Sequence, residues 1–238
     1  MYQLDSFTLR EVIVKSAERY ADRPAVGFVG GEAATYRELG AAAARLALRL
    51  RADGYKEGDK IALLSENRPE WPVAYFGIAA AGFIGVPILT DFGAEQIGNI
   101  MAHAEAKAVV VSEKLRAKLG PKAPKAYAIE ELLAPSDVAA PNPAEVFKPL
   151  DENGLAVILY TSGTTGNSKG VMMTHKNLVW DAWATRTIIR QRRNDRLLSI
   201  LPLAHTYECT IGMLAPLMQG PSIWYLGKPP TASNLIPA

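Results

Sequence analysis

The residues whose types and spacing suit chemistry concentrate at 161–170, TSGTTGNSKG, with three glycines, one lysine and four hydroxyls in the first five positions. Gly163, Gly166 and Gly170 lack the Cβ that keeps backbone amides from converging on an anion, and glycine accepts positive φ without penalty. Thr161, Ser162, Thr164 and Thr165 add hydroxyl donors that can turn towards phosphate oxygens, and Lys169 brings a mobile full charge. Such a stretch suits a phosphate cradle. It also suits a polar turn between two strands, for which Gly, Ser and Thr are ordinary residues, and composition leaves both readings open.

Its flanks say how it is held. The apolar run LAVILY at 155–160 leads in and the alternating VMMTH at 171–175 leads out, so the spacing predicts a strand on either side. The Walker pattern G-x-x-x-x-G-K-[ST] fails, because position 168 is Ser168 and Lys169 precedes Gly170. A Walker loop also opens into a helix, and VMMT has the period of a strand. The dinucleotide fingerprint G-x-G-x-x-G is absent here as well.

Before that stretch, periodicity predicts a helix over residues 9–20, capped by Thr8 with Glu11 completing a capping box. A hairpin turning at Gly30-Gly31 follows, then an alanine-rich helix over 36–53. Strands at 61–65, 85–89 and 108–112 alternate with helices after Pro69 and at 94–104, the order of a parallel α/β sheet. Residues 71–89 carry no charge for 19 positions, but five prolines and glycines interrupt them, so a buried helix turning into a buried strand is expected rather than a membrane span. Six prolines between 121 and 149 mark a connector with one short helical turn near 129–133. After the glycine-rich stretch come a helix over 176–191, a strand over 196–201, a buried apolar run at 210–217 and a strand at 222–226. The expected organisation is an α/β unit over 1–120, a connector over 121–149 and a second, incomplete unit over 150–238.

Composition narrows the class further. The 238 residues are 49% hydrophobic and 21% charged with net charge +2, a globular balance that gives no bulk electrostatic argument for nucleic acid. The single cysteine, Cys209, excludes an intrachain disulfide framework and suits a reducing compartment, and the charged N-terminus has no apolar signal-peptide segment. A cytoplasmic protein is expected, with peripheral membrane contact left open. Five arginines between Arg186 and Arg196 fit a solvated helix end better than an anionic ligand or membrane surface.

TSGTTGNSKG followed by VMMTH closely resembles the phosphate-binding signature of the adenylate-forming (AMP-binding) enzymes, which include acyl-CoA synthetases, luciferases and peptide-synthetase adenylation domains. Four further stretches are similar to that family's landmarks in the same order: TYREL at 35–39, ENRPEW at 66–71, AAGFIGVPI at 80–88 and LPLAHTYE at 201–208. The last is most similar to the long-chain fatty acyl-CoA synthetase branch. His205 and Glu208 match its histidine and nearby glutamate, whereas His205 by itself reads as a core histidine satisfied by a carbonyl.

The resemblance implies layered α/β sheets with flanking helices, the N-terminal part of the adenylate-forming fold. It implies two steps, in which a carboxylate attacks the α-phosphate of ATP and a thiol, usually that of coenzyme A, displaces AMP. Mg²⁺ is expected on the phosphates, Thr161, Ser162, Gly163, Thr164, Thr165, Gly166, Lys169 and Gly170 around them, and His205 near the acyl-adenylate, with Glu208 as a neighbour. The family's acidic magnesium motif, its ribose-binding aspartate and its mobile lysine-bearing domain have no counterpart here. The expectation is therefore the N-terminal portion of an acyl-CoA synthetase, whose missing C-terminal part is needed for adenylation. Aryl-acid ligases, peptide-synthetase domains and a non-catalytic nucleotide-binding module are the alternatives.

Overall fold

A computed structural model describes residues 3–135, 139–161, 169–228 and 230–236. The chain begins with α1 (Leu9–Arg19), whose Leu9, Val12 and Ile13 are fully buried. The Thr8 hydroxyl accepts from the Glu11 amide at 3.1 Å, but the expected capping box is only half made. The Glu11 carboxylate turns instead to Arg10, at 2.9 Å, and Lys15, at 3.5 Å. A complete box appears one helix later. β1 (Pro24–Phe28) and β2 (Ala33–Thr35) form the expected hairpin, and Thr35 and Glu38 cap α2 (Tyr36–Ala52) reciprocally.

The strands β3 (Lys60–Leu64), β4 (Ile84–Pro87) and β5 (Ala108–Val111) alternate with α3 (Glu70–Ala79) and α4 (Ala94–His103). β3 pairs in parallel with both β4 and β5, as the βαβ spacing predicts. The uncharged stretch 71–89 is α3 and β4, buried on every side. Small residues set how closely the helices approach. A Cβ on Gly77 of α3 would meet the Ala43 carbonyl of α2 at 2.9 Å, so that crossing admits only glycine. No helix among the described residues is long and apolar enough to cross a membrane.

After α5 (Glu113–Arg116), the proline-rich stretch holds β6 (Lys125–Ala128), a single 3₁₀ turn at Ile129–Glu131 and α6 (Pro143–Val146). β7 (Leu155–Thr161) and β8 (Lys169–Thr174) follow, then α7 (His175–Ile188) and β9 (Arg196–Ser199). A π-helical stretch, Glu208–Leu214, runs into α8 (Ala215–Gln219), and β10 (Ser222–Tyr225) and α9 (Ala232–Leu235) complete the order.

Two sheets result. One has the order β6-β5-β3-β4-β7-β8, parallel except for its antiparallel edge β8; the other has the order β2-β1-β10-β9. Strands from both sides of the proline-rich stretch share each sheet, since β7 pairs with β4 and β10 returns to pair with β1. The β9 ladder stops at Ser199, two residues short of the expected end, because the Leu201 carbonyl is taken by the Asn67 side chain at 2.6 Å.

Candidate active site

The glycine-rich stretch begins at Thr161, the last residue of β7, and ends at Lys169 and Gly170, the first residues of β8. β7 is largely buried while β8, at the sheet edge, is exposed over its first four residues, and the antiparallel register places Tyr160 opposite Gly170 and Thr161 opposite Lys169. Thr161 and Lys169 are exposed and close the hairpin, so the two strands deliver their side chains to the same end. Ser162, Gly163, Thr164, Thr165 and Gly166 lie outside the described residues. Gly170 packs against the strand it pairs with: a Cβ there would come within 3.0 Å of Ile158 and 3.2 Å of the Tyr160 ring. The Tyr160 hydroxyl lies 2.7 Å from Nδ1 of His103, at the end of α4, and burial raises the Tyr160 pKa. Nothing in the sequence tied His103 to this hairpin, because the contact spans 57 positions.

A second group surrounds the turn between β9 and the helix that starts near residue 206. His205 is exposed and stands at that helix's N-terminus, where its Nδ1 accepts the Tyr207 amide at 3.3 Å and its carbonyl accepts the Cys209 amide at 3.0 Å. It caps a helix, as side-chain acceptors at such positions do, and is not the buried core histidine that the residue alone suggested. Glu208 is buried and accepts the Ser199 hydroxyl at 2.6 Å. Burial raises its carboxyl above the ordinary range, against the opposing effect of that hydrogen bond.

Asn67, between β3 and α3, reaches across to the same turn. Its Nδ2 donates to the Ser199 hydroxyl at 3.1 Å and to the Leu201 carbonyl, and its Oδ1 accepts the Leu203 amide at 2.9 Å. Beside the turn a cleft of about 490 Å³ opens at the C-terminal ends of β3, β9 and β10, with Asn67, Ser199 and Leu203 on one wall and Lys114 and Lys228 also lining it. The ends of strands in open α/β sheets are where such folds bind ligands, and the volume lies in the range of small-molecule sites.

No hydrogen bond or ion pair among the described residues joins the paired ends of β7 and β8 to the 199–208 turn. Each group is internally organised. No group of three His, Cys, Asp or Glu side chains gathers into a metal site among the described residues.

Comparisons with known proteins agree with this architecture. The family described as AMP-binding enzyme matches residues 13–237. A feruloyl-CoA synthase of an Amycolatopsis species is 32% identical over 207 residues, covering 82% of this chain and 39% of that protein. The long-chain-fatty-acid–CoA ligase FadD13 of Mycobacterium tuberculosis is 32% identical over 195 residues, covering 74% of this chain and 36% of that protein. The crystal structure of ATP-bound MatB from Rhodopseudomonas palustris superposes with a TM-score of 0.77 at 26% identity, over 93% of this chain and 46% of that one. The chain thus spans less than half the length of each of these proteins. With the fold, the ordered motifs and the match from residue 13 to residue 237 in agreement, the chain belongs to the AMP-binding, adenylate-forming enzyme family.

Proposed function

We propose that the protein carrying this chain uses ATP to activate a carboxylic acid, a long-chain fatty acid in the leading reading, and passes the acyl group to coenzyme A. The observation that carries the proposal is the TSGTTGNSKG stretch, whose described ends Thr161 and Lys169 pair across the β7–β8 ladder, within a chain of the AMP-binding family. In the first step a carboxylate oxygen bonds to the α-phosphorus of ATP, the bond from that phosphorus to the bridging oxygen breaks, and pyrophosphate leaves. Two anions must approach, so the site has to supply positive potential. Lys169 supplies a full charge; the hydroxyls of Thr161, Ser162, Thr164 and Thr165 and the amides around Gly163 and Gly166 supply donors. In the second step the sulfur of coenzyme A bonds to the acyl carbon, its proton is released, and AMP departs with the bonding electron pair.

His205 is placed beside the acyl-adenylate in this reading, with Glu208 behind it. The LPLAHTYE stretch and the 32% identity to a long-chain-fatty-acid–CoA ligase support a fatty acid. The equal identity to a feruloyl-CoA synthase favours an aryl acid as the second reading.

The test is ATP-dependent pyrophosphate release by the whole protein with fatty and aryl acids offered in parallel. Release with long-chain fatty acids supports the leading reading, release with aryl acids alone moves the assignment to the second, and release with neither overturns both. The isolated 238-residue chain is expected to give no robust turnover; turnover by it would show that these residues suffice.

A further inference from the structure

One side chain reaches across 132 to 136 sequence positions to hold the turn that carries His205. Asn67 meets that turn at Ser199, Leu201 and Leu203, in alternate positions along the chain. The orientation of its amide is forced. Only Oδ1 can accept the Leu203 amide, and only Nδ2 can donate to the Leu201 carbonyl. The Ser199 hydroxyl, receiving one Asn67 proton, donates its own to Oε1 of Glu208 at 2.6 Å. Donation therefore runs in one direction, from the Asn67 amide through Ser199 to Glu208, and closes the segment from the end of β9 to the first turn of the following helix.

The seat of Glu208 is tight. A Cβ on Gly212, one turn further along the π-helical stretch, would lie 2.5 Å from the Glu208 carboxyl carbon, so the carboxylate rests directly on a glycine backbone. Leu203, 1% exposed, pins the middle of the turn from below, and the Pro202 carbonyl accepts the His205 amide at 2.9 Å. Between these fixed points His205 is exposed, its ring held by the Tyr207 amide at Nδ1. An imidazole whose Nδ1 accepts must carry its proton on Nε2 when neutral.

We propose that Asn67, Ser199 and Glu208 are positioning residues which hold the 199–205 turn so that His205 presents one tautomer, with its Nε2–H free of the Nδ1 capping bond. Glu208 serves as a hydrogen-bond acceptor for Ser199. What the held ring does in the reaction rests on the adenylation reading above; the hold itself does not.

His103, His175 and His205 are the histidines of this stretch, and selective ¹⁵N-histidine labelling of the whole protein, with the His205 imidazole identified by its loss in His205→Gln, resolves the ring in question. Their nitrogen shifts, read above the ordinary imidazole titration range, report tautomers without any need for turnover. In the wild type His205 is expected as the Nε2–H tautomer. Asn67→Asp keeps the shape and the Leu203 acceptor but removes the donors to Ser199 and Leu201. Ser199→Ala breaks the link to Glu208. In both, the two His205 shifts should move towards each other as the tautomers mix, while His103 and His175 keep their wild-type shifts. Glu208→Gln retains an acceptor oxygen and should preserve the His205 signature, whereas Glu208→Leu should lose it.

Unchanged His205 shifts in folded Asn67→Asp or Ser199→Ala overturn the proposal, as does loss of the signature in Glu208→Gln. Should Asn67→Asp not fold, Ser199→Ala decides. Pyrophosphate release is measured separately on the same variants in the whole protein. A protein inactive towards every acid but with the predicted shifts would remove the adenylation reading and leave the positioning relay standing.

Discussion

His175 should make the stability of this protein depend on pH, and the size of the effect follows from its surroundings. The residue opens α7, is 3% exposed, and its Nδ1 accepts the Leu9 amide at the start of α1 at 3.3 Å. A proton on that nitrogen would set donor against donor and put a positive charge beside the N-termini of two helices. Burial accordingly lowers its pKa from 6.5 to about 4, with nearby Asp151 opposing. At about 1.4 kcal/mol per tenfold change in proton affinity, that difference corresponds to roughly 3 kcal/mol. Above the unfolded value of 6.5 both states hold a neutral ring and the stabilisation is complete. As pH falls from 6.5 towards 4 the unfolded chain takes up a proton that the folded chain excludes, and stability is lost; below about 4 both are protonated and the loss stops. His175→Asn keeps an acceptor near the Nδ1 position and cannot titrate. Urea unfolding of both proteins in steps from about pH 7.5 to about pH 4 should show the wild type losing roughly 3 kcal/mol more than the variant. Carboxylates common to both cancel in the difference. Parallel curves would refute the assignment of a buried, neutral His175.

Two further predictions concern buried chemistry away from the hairpin. Arg68 is 12% exposed and paired with Glu66, Glu70 and Glu130, so Arg68→Met leaves partly buried carboxylates unpaired and should lower stability by about 3 kcal/mol. A change of less than about 1 kcal/mol in denaturant unfolding would mean the cluster is effectively solvated. Cys209 is 4% exposed and burial pushes its thiol up to about 12, so a thiol-specific reagent should label it only as fast as the protein opens. Rapid labelling of the folded protein would contradict its position in the core.

Much of the fold is legible in the sequence because local pattern and tertiary context agree. The βαβ order from 61 to 112 produced the parallel pairing of β3, β4 and β5, and the prolines and glycines in 71–89 separated a core helix and strand from a membrane span. What the sequence did not carry was long-range pairing. The return of β10 to pair with β1 across nearly 200 residues leaves no local mark, and neither does the hydrogen bond from the Asn67 side chain that ends β9 at Ser199. Glu11 shows the limit of local rules: the spacing fits a capping box, but two neighbouring cations compete for its carboxylate. At the candidate site, residue chemistry pointed to the phosphate stretch and the family resemblance to His205. Asn67, Ser199, His103 and Tyr160 went unassigned, since each matters through a partner far away in sequence or through a turn that had read as strand. Asn67 lay within the ENRPEW landmark, and an uncharged amide between strand and helix, flanked by Glu66 and Arg68, was the one local sign of it.

The proposed activity requires Thr161 and Lys169, paired at the ends of β7 and β8, to face the phosphates of ATP. Calorimetric titration of ATP into the whole protein and its Lys169→Ala variant measures this contact. Saturable binding by the wild type is expected, and at least about tenfold weaker binding by Lys169→Ala, the loss of one charge-assisted contact. Equal ATP affinity in the two proteins, or no binding by the folded wild type, would contradict it.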